Sequence, residues 1–212
     1  MLNLVIGTDW VKNRAYILDL IALDVKNQKG GRILMVPEPI SHDSERRLCA
    51  AAGDTTSRFA EVLSFTRLAR RVADEHDRAE YACLDNGGRI VAMAAAVQQV
   101  QSQLKSYASL GTRPEFLLGL VETVDEFKRC CITSKDLRIA SEQSTGVLAQ
   151  KLEELSLIFE SYDAVCCRGK RDPRDQLTWL LEELEEGGYS QEHTFYFDGF
   201  PDFSSQQLAT IF

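Results

Sequence analysis

Three short segments carry side chains whose types and spacing suit nucleotide or nucleic-acid chemistry. They span residues 7–14, 64–72 and 198–200. Each begins where an apolar run ends, and the first two lead directly into a helical pattern. Ligands of open sheets bind at such junctions, outside the carboxyl ends of the strands.

The segment that starts at Gly7 has the position of a phosphate-binding loop, Gly-Thr-Asp-Trp-Val-Lys-Asn-Arg. Such a loop needs glycines that let backbone N–H groups surround phosphates, then Lys for the terminal phosphates and Ser or Thr for magnesium. Here no second glycine follows, and Asn13 and Arg14 stand where Lys and Ser or Thr are required. The segment is interpreted as an ordinary strand–helix turn, with a displaced role for Lys12 as the alternative.

Two aspartates also affect whether this segment can bind a nucleotide. Asp9 adds negative charge where phosphate would enter. Asp198 follows the last apolar run and is placed like the aspartate that coordinates the metal in nucleotide-binding folds. In hydrolysing enzymes of this kind a glutamate comes next and positions the attacking water, but here Gly199 follows. Two losses in one site predict that the chain does not hydrolyse ATP and has no catalytic residue.

A predicted helix over residues 65–74 carries Arg67, Arg70 and Arg71 on part of one circumference. Phe65 stands beside them, at the carboxyl end of a predicted strand. An aromatic ring there can stack on a base while arginines hold backbone phosphates. The alternative is an amphipathic helix with a solvated basic face, which the spacing alone favours.

The elements that position these segments alternate between strand and helix. Strands are predicted at 2–7, 32–37, 61–64 and 194–197, the first and last of them buried. Helices are predicted at 13–26 and 65–74, and Ser41 is expected to cap another. This order predicts an α/β fold with a parallel sheet covered on both faces.

The middle of the chain lacks strand patterns. From Gly88 to about residue 187 the apolar spacings of three and four predict long helices. The predicted domains are therefore an incomplete α/β core, 1–87 and 190–212, and a helical insertion, 88–189. A capping box at 204–207 opens a last helix that stops at Phe212 within an apolar face. We expect the sequence to be part of a longer protein.

Bulk composition limits the function further. The net charge is −8, so any contact with DNA must be local. No apolar run is long enough for a membrane helix and no signal peptide is evident, which predicts a cytoplasmic protein without a membrane partner. The six cysteines and three histidines lack metal-ligand spacing. The cysteines are expected to be reduced and mostly buried.

Several segments, taken in order, resemble the amino-terminal part of AddB (RexB), the non-motor partner in bacterial AddAB-type helicase–nucleases. They are Val5-Ile6-Gly7, Met35-Val36-Pro37-Glu38 with Glu45-Arg46, Leu63-Ser64-Phe65-Thr66-Arg67-Leu68-Ala69, Gly88-Arg89, Glu126-Phe127-Lys128, Leu152-Glu153-Glu154-Leu155 with Ile158 and Tyr162, and Asp198-Gly199-Phe200 with Phe203 and Gln207. Their order and spacing cover nearly the whole chain. Ser-Phe-x-Arg-Leu-Ala together with Asp-Gly-Phe is fairly specific.

The resemblance implies a P-loop-NTPase-like sheet of the UvrD-helicase type, interrupted by an all-helical insertion. It implies a non-motor module that holds and scans single-stranded DNA for the Chi signal in double-strand-break repair and recombination, paired with a motor and nuclease A subunit. The family's nuclease and iron–sulfur cluster belong to a carboxyl-terminal region that this sequence does not contain. No metal or cofactor is expected here. The candidate DNA-binding residues are Phe65, Arg67, Arg70, Arg71, Ser41 and Phe200, and the degenerate nucleotide site comprises Gly7, Lys12, Asn13 and Asp198.

The sequence departs from the family pattern at three places. Many relatives keep an intact phosphate loop, whereas this chain has none. Pro39 stands where Gln commonly follows Pro-Glu, and Arg70 stands where an aromatic residue is common. Two other functions remain open: a domain that docks the motor subunit without touching DNA, and a degenerate nucleotide-binding enzyme that acts on a small molecule. The basic segment 64–71 favours the DNA-binding function over the first, and the missing phosphate loop weighs against the second.

Overall fold

The structure is a computed structural model that describes residues 2–75, 83–110, 113–168, 170–186 and 188–212. It is an α/β protein, mostly helical, with one small parallel sheet. The elements are α1 (Trp10–Lys26), β1 (Arg32–Met35), α2 (Ser41–Ala52), β2 (Ala60–Leu63), α3 (Phe65–Glu75), α4 (Asn86–Val100), α5 (Pro114–Arg129), α6 (Ser134–Glu142), α7 (Gly146–Cys167), α8 (Gln176–Glu186), α9 (Tyr189–Glu192), β3 (Thr194–Phe197) and α10 (Ser205–Ile211). The parts of both predicted domains at residues 1, 76–82, 111–112, 169 and 187 lie outside the described residues.

The described residues form two compact units. The first, called the sheet unit, comprises residues 2–75 and 179–203. The second, called the helical unit, comprises residues 83–178 and 204–212, apart from the gaps given above.

The sheet unit is built on three parallel strands in the order β2-β1-β3. The central strand β1 is buried throughout residues 33–35, as expected for a parallel sheet that helices cover. Ile21 and Val25 of α1 and Leu48 of α2 join the core formed with Leu34 and Val62. The strands and helices predicted around residues 32–37, 61–64, 65–74 and 194–197 are confirmed, with ends shifted by a few residues.

The predicted first strand is wrong. Residues 2–7 form no strand, and Leu2, Leu4 and Ile6 are exposed. A strand requires a hydrogen-bonded partner, and residues 2–7 pair with none of the three strands of the described sheet. An apolar run by itself does not provide that partner, and α1 follows a segment without regular secondary structure.

Two smaller predictions in this unit are also wrong. The strand β3 is only half-buried because it lies at the outer position of the described sheet. Ser41 does not cap α2 through its side chain, since the preceding Ile40 is the N-cap residue. The Ser41 hydroxyl instead donates to the Glu38 carbonyl oxygen at 2.9 Å, within a short 3-10 turn at Glu38–Ile40.

The helical unit is organised around α7, which packs against α4 and α6. Its core contains Met93, Ala96, Ile158, Phe159 and Tyr162, each at most 3% exposed. The described residues between 88 and 186 contain helices and no strand, as the apolar spacing predicts. None of the described helices combines the length and the apolar composition that crossing a bilayer requires.

The cysteines are less buried than predicted. Only Cys166, on the inner face of α7, is buried, whereas Cys49, Cys130, Cys131 and Cys167 are exposed. Adjacent cysteines on a helix or at its end cannot all point inward, because neighbouring side chains diverge by about 100° around the helix axis.

Candidate nucleic-acid interface at the carboxyl edge of the sheet

The carboxyl ends of the three strands lie side by side. Met35 of β1 is in register with Leu63 of β2 and with Phe197 of β3. The backbone ladder continues one step further, since Val36 N–H donates to the Leu63 carbonyl and Asp198 N–H donates to the Met35 carbonyl, both at 3.0 Å. This edge, called the carboxyl edge, therefore brings together the residues that follow β1, β2 and β3.

The start of α1, where a phosphate would bind, is occupied by a carboxylate of the chain itself. Asp9 is the N-cap residue, and its Oδ1 accepts hydrogen bonds from the N–H groups of Val11 at 3.0 Å and Lys12 at 3.3 Å. These are the groups that a phosphate would use at a helix start. The Lys12 side chain is 85% exposed and lies 3.7 Å from Asp9, away from any enclosed site. Gly7 contributes only a carbonyl, which accepts from Asn13 Nδ2 at 3.3 Å.

Asp198 is paired with Arg14. The guanidinium Nε of Arg14 donates to Asp198 Oδ2, and each side chain is only 15% exposed. Arg14 also lies over the Trp10 ring, 5.1 Å from its centroid. The residue that a magnesium-dependent site would use to hold its metal therefore already has a cation as its partner. Among the described residues, no group of three His, Cys, Asp or Glu side chains is arranged to hold a metal ion.

Phe65 is at the carboxyl edge but does not present a free ring. It is 5% exposed, and its ring lies 5.6 Å from Phe200 and 6.2 Å from Phe197. Phe200 in turn stacks on Phe203, with ring centroids 4.8 Å apart. Phe200 and Phe203 are both half-buried, so each can present part of an aromatic face. Phe65 was a candidate for base stacking because it stands beside arginines in the sequence, but its burial could not be predicted from that spacing.

Two of the three arginines on α3 already have carboxylate partners. Arg67 Nη1 lies 2.8 Å from Glu45 Oε1 on α2. Arg71 lies 2.7 Å from Glu61 and 3.1 Å from Glu75, and the Glu61 hydrogen bond is the main reason that its pKa is raised. Their positive charge is therefore largely compensated.

Arg70 differs from its two neighbours. It is exposed, and no ion pair joins it to a carboxylate of the described part of the chain. It is the arginine of α3 whose charge is most available to a phosphate.

The remaining polar groups at this edge join β1 to α3. Ser64 is buried, donates its hydroxyl to Glu38 Oε2 and accepts from the Arg67 N–H at 3.3 Å. The Ser64 hydroxyl thus caps α3, and Glu38 places a carboxylate near the positive end of that helix. Ser41 is tied to the same turn through the Glu38 carbonyl.

A buried ionic network lies in the helical unit and was not predicted from the sequence. Arg89, 4% exposed, pairs with Asp125 and Asp172, and the Tyr162 hydroxyl donates to Asp172 Oδ2 at 2.6 Å. Burial alone would raise the pKa of Asp172, but nearby Lys128, the hydrogen bonds from Tyr162 and the Arg174 N–H, and Arg89 outweigh it and lower that pKa. An isolated Arg or Asp in a helical pattern usually indicates a solvated face, so spacing gave no signal for this network.

Lys128 forms the second half of the network. It is 8% exposed and lies 2.5 Å from Asp175 and 3.0 Å from Asp163, with the Phe159 ring 5.9 Å away. Burial would lower its pKa, but these carboxylates raise it. The network joins α4, α5 and α7 to the segment that precedes α8, so it links elements of the helical unit and does not form an open site.

The chain matches a known family over almost its whole length. The family described as "ADDB, N-terminal" matches residues 4–212. Three similar proteins, each named as the B subunit of an ATP-dependent helicase/deoxyribonuclease, come from Clostridium acetobutylicum, Thermoanaerobacter sp. strain X514 and Anoxybacillus flavithermus. Their identities to this chain are 28% over 194 residues, 32% over 181 and 30% over 186, covering 90%, 84% and 84% of it. The match takes in only 17%, 16% and 16% of those relatives.

The family match extends across both the sheet unit and the helical unit. It includes the carboxyl edge with its Ser-Phe-x-Arg-Leu-Ala and Asp-Gly-Phe segments. The chain belongs to the AddB family, of which it represents the amino-terminal region.

Proposed function

We propose that this chain is the non-motor, DNA-holding module of an ATP-dependent helicase–nuclease that acts in double-strand-break repair and recombination. The observation that carries the proposal is the contact between Phe65 and Phe200, 135 positions apart in the sequence, with ring centroids 5.6 Å apart at the carboxyl edge. This contact brings together segments 64–72 and 198–200, both of which carry candidate DNA-binding residues. The names of the relatives, which describe them as parts of a helicase/deoxyribonuclease, support the same role.

Within this proposal, single-stranded DNA contacts the half-buried rings of Phe200 and Phe203 and the exposed charge of Arg70. Phe65 supports Phe200 from beneath instead of stacking on a base itself. Arg67, Arg71 and Ser41 lie beside this surface and add polar contacts. A net charge of −8 keeps the affinity low, so binding is expected to weaken steeply as salt is raised.

The same proposal assigns the chain a P-loop-NTPase-like core of the UvrD type, 1–87 and 190–212, with a helical insertion, 88–189. The nucleotide site of that core no longer functions. The Asp9 carboxylate uses the N–H groups at the start of α1, and Arg14 occupies the metal position beside Asp198. A motor and nuclease A subunit in the cytoplasm would therefore supply all ATP hydrolysis.

Fluorescence anisotropy with a labelled oligothymidylate tests the DNA contact. Phe200→Ala is expected to lose base stacking of roughly 1–3 kcal/mol with little change in the salt dependence. Arg70→Ala should lower the slope of log K against log salt by about 0.7, the value for one phosphate contact on a single strand. The matched control is Arg58→Ala, because Arg58 is also exposed but precedes β2 at the opposite end of the strand.

A docking domain without DNA contact remains the second candidate. It is favoured by the exposed apolar side chains of residues 2–6 and of Trp10. If the parent, Phe200→Ala and Arg70→Ala proteins all fail to bind the oligonucleotide at low salt, the docking function replaces the DNA-holding one.

A further inference from the structure

Two of the three arginines of α3, Arg67 and Arg71, face carboxylates of their own unit. Glu45 of α2 reaches Arg67 of α3 at 2.8 Å, and about two fifths of each side chain is exposed. The other oxygen of Glu45 lies 3.9 Å from His42 Nδ1. Glu38 accepts the Ser64 hydroxyl hydrogen bond at the start of α3. A DNA phosphate that approaches Arg67 or Arg71 therefore meets a cation that already has an anionic partner.

We propose that Glu45 is an internal competitor for DNA phosphate at Arg67. A strand gains this contact only by displacing the carboxylate, which keeps the hold on DNA weak and quickly reversible. The inference rests on the proposed function, because it concerns the same DNA-holding surface. It adds a residue, Glu45, that limits affinity.

The geometry permits such an exchange. An exposed ion pair between long side chains is weak, so a phosphate can replace the carboxylate at a small energetic penalty. The exchange substitutes one anion for another at Arg67, and the released carboxylate regains its own counterions. Arg67 should therefore contribute little to the salt dependence of the parent protein, although it is positively charged.

The three arginines of α3 differ in how many carboxylates they pair with, and so in how readily they can bind a phosphate. Arg71 has two carboxylate partners, Arg67 has one, and Arg70 has none among the described residues. Removing the single partner of Arg67 is consequently the smallest change that adds a phosphate contact to this surface.

The test compares Glu45→Gln with Asp43→Asn in the oligothymidylate anisotropy assay. Asp43 lies on the same helix and pairs with Arg47 at 2.7 Å, so its substitution changes the net charge equally without touching Arg67. Glu45→Gln is expected to tighten binding about twofold to fivefold at low salt. It should also steepen the salt slope by about 0.7, and Asp43→Asn should do neither. Adding Arg67→Ala to Glu45→Gln should abolish the gain. Circular dichroism verifies that each variant is folded.

The outcomes separate this inference from the proposed function. If the parent binds and Arg70→Ala weakens binding, but Glu45→Gln behaves like the parent, the DNA-holding function stands and the competitor role is refuted. Equal gains in Glu45→Gln and Asp43→Asn would attribute the effect to net charge and refute it as well. If the parent does not bind, the proposed function fails and the competitor role fails with it.

Discussion

Replacement of Asp172 by asparagine tests whether the buried ionic network stabilises the helical unit. Asp172 is 0% exposed, and its Oδ2 accepts from Tyr162 at 2.6 Å and from Arg89 Nη2 at 3.1 Å. Its Oδ1 accepts from the Arg174 N–H at 2.8 Å. Asparagine has nearly the same shape but no charge, so Asp125 would be the only carboxylate still paired with Arg89.

The expected loss follows from this geometry. Removing one member of a buried ion pair costs about 3–5 kcal/mol, because the other charge remains buried without compensation. Arg89 retains Asp125, which places the loss at the lower end, about 3 kcal/mol. In a chain of 212 residues, each kcal/mol shifts Tm by roughly 2–4 °C, so Tm should fall by about 6–12 °C.

Urea and thermal unfolding followed by circular dichroism measure this loss. Asp43→Asn is the control, because it removes an exposed pair with Arg47 and should lower the free energy of unfolding by no more than about 0.5 kcal/mol. A Tm for Asp172→Asn within about 2 °C of the parent value, less than 1 kcal/mol by the same conversion, would show that the network does not stabilise the unit.

Four further results are expected. The pKa of Asp172 is lowered in the folded chain. The ionised carboxylate therefore stabilises the fold fully above the ordinary aspartate pKa of about 3.9, and this stabilisation is lost as pH falls through the folded-state pKa. The difference in urea midpoint between the parent and Asp172→Asn should be constant above about pH 5 and should shrink in stronger acid. Ser204→Ala breaks the capping box with Gln207, so amide hydrogen exchange in α10 should accelerate by an amount that corresponds to about 1 kcal/mol. Phe65→Ala should lower the free energy of unfolding by about 3–5 kcal/mol, and wild-type-like thermal stability would contradict its burial. Equilibrium dialysis with ATP and magnesium should show no retention, whereas micromolar binding would refute the loss of the nucleotide site around Asp198.

Local patterns predicted most of the elements but not their partners. The alternation of strands and helices located β1, β2, α3 and β3, because apolar period and turn residues act within a few positions. The same apolar signal at residues 2–7 failed, since strand formation depends on a pairing edge that lies elsewhere in the chain. Burial of β3 was overestimated for the same reason: its outer position in the sheet is a property of topology.

The shared sheet edge of the candidate residues could be predicted from the sequence, but the partners of their side chains could not. The sequence placed Arg67, Phe65 and Asp198 at one sheet edge, and the register of the strands brings them there. It could not show that Arg14 would pair with Asp198 across 184 positions, or that Glu45 would face Arg67. Such pairs depend on which side chains come into contact in the folded chain, and the spacing of residues along the sequence does not predict these contacts.

Gly199 has a consequence for the history of the protein. It adopts φ +79°, and a Cβ at this position would lie 2.7 Å from Ile40 Cδ1. A glutamate here would require a backbone conformation that residues other than glycine rarely adopt. One codon change could supply the glutamate but not a relaxed backbone, so an Asp-Glu pair at this loop would begin with local strain. A lineage that has this loop therefore meets a conformational penalty at the first step toward an Asp-Glu pair.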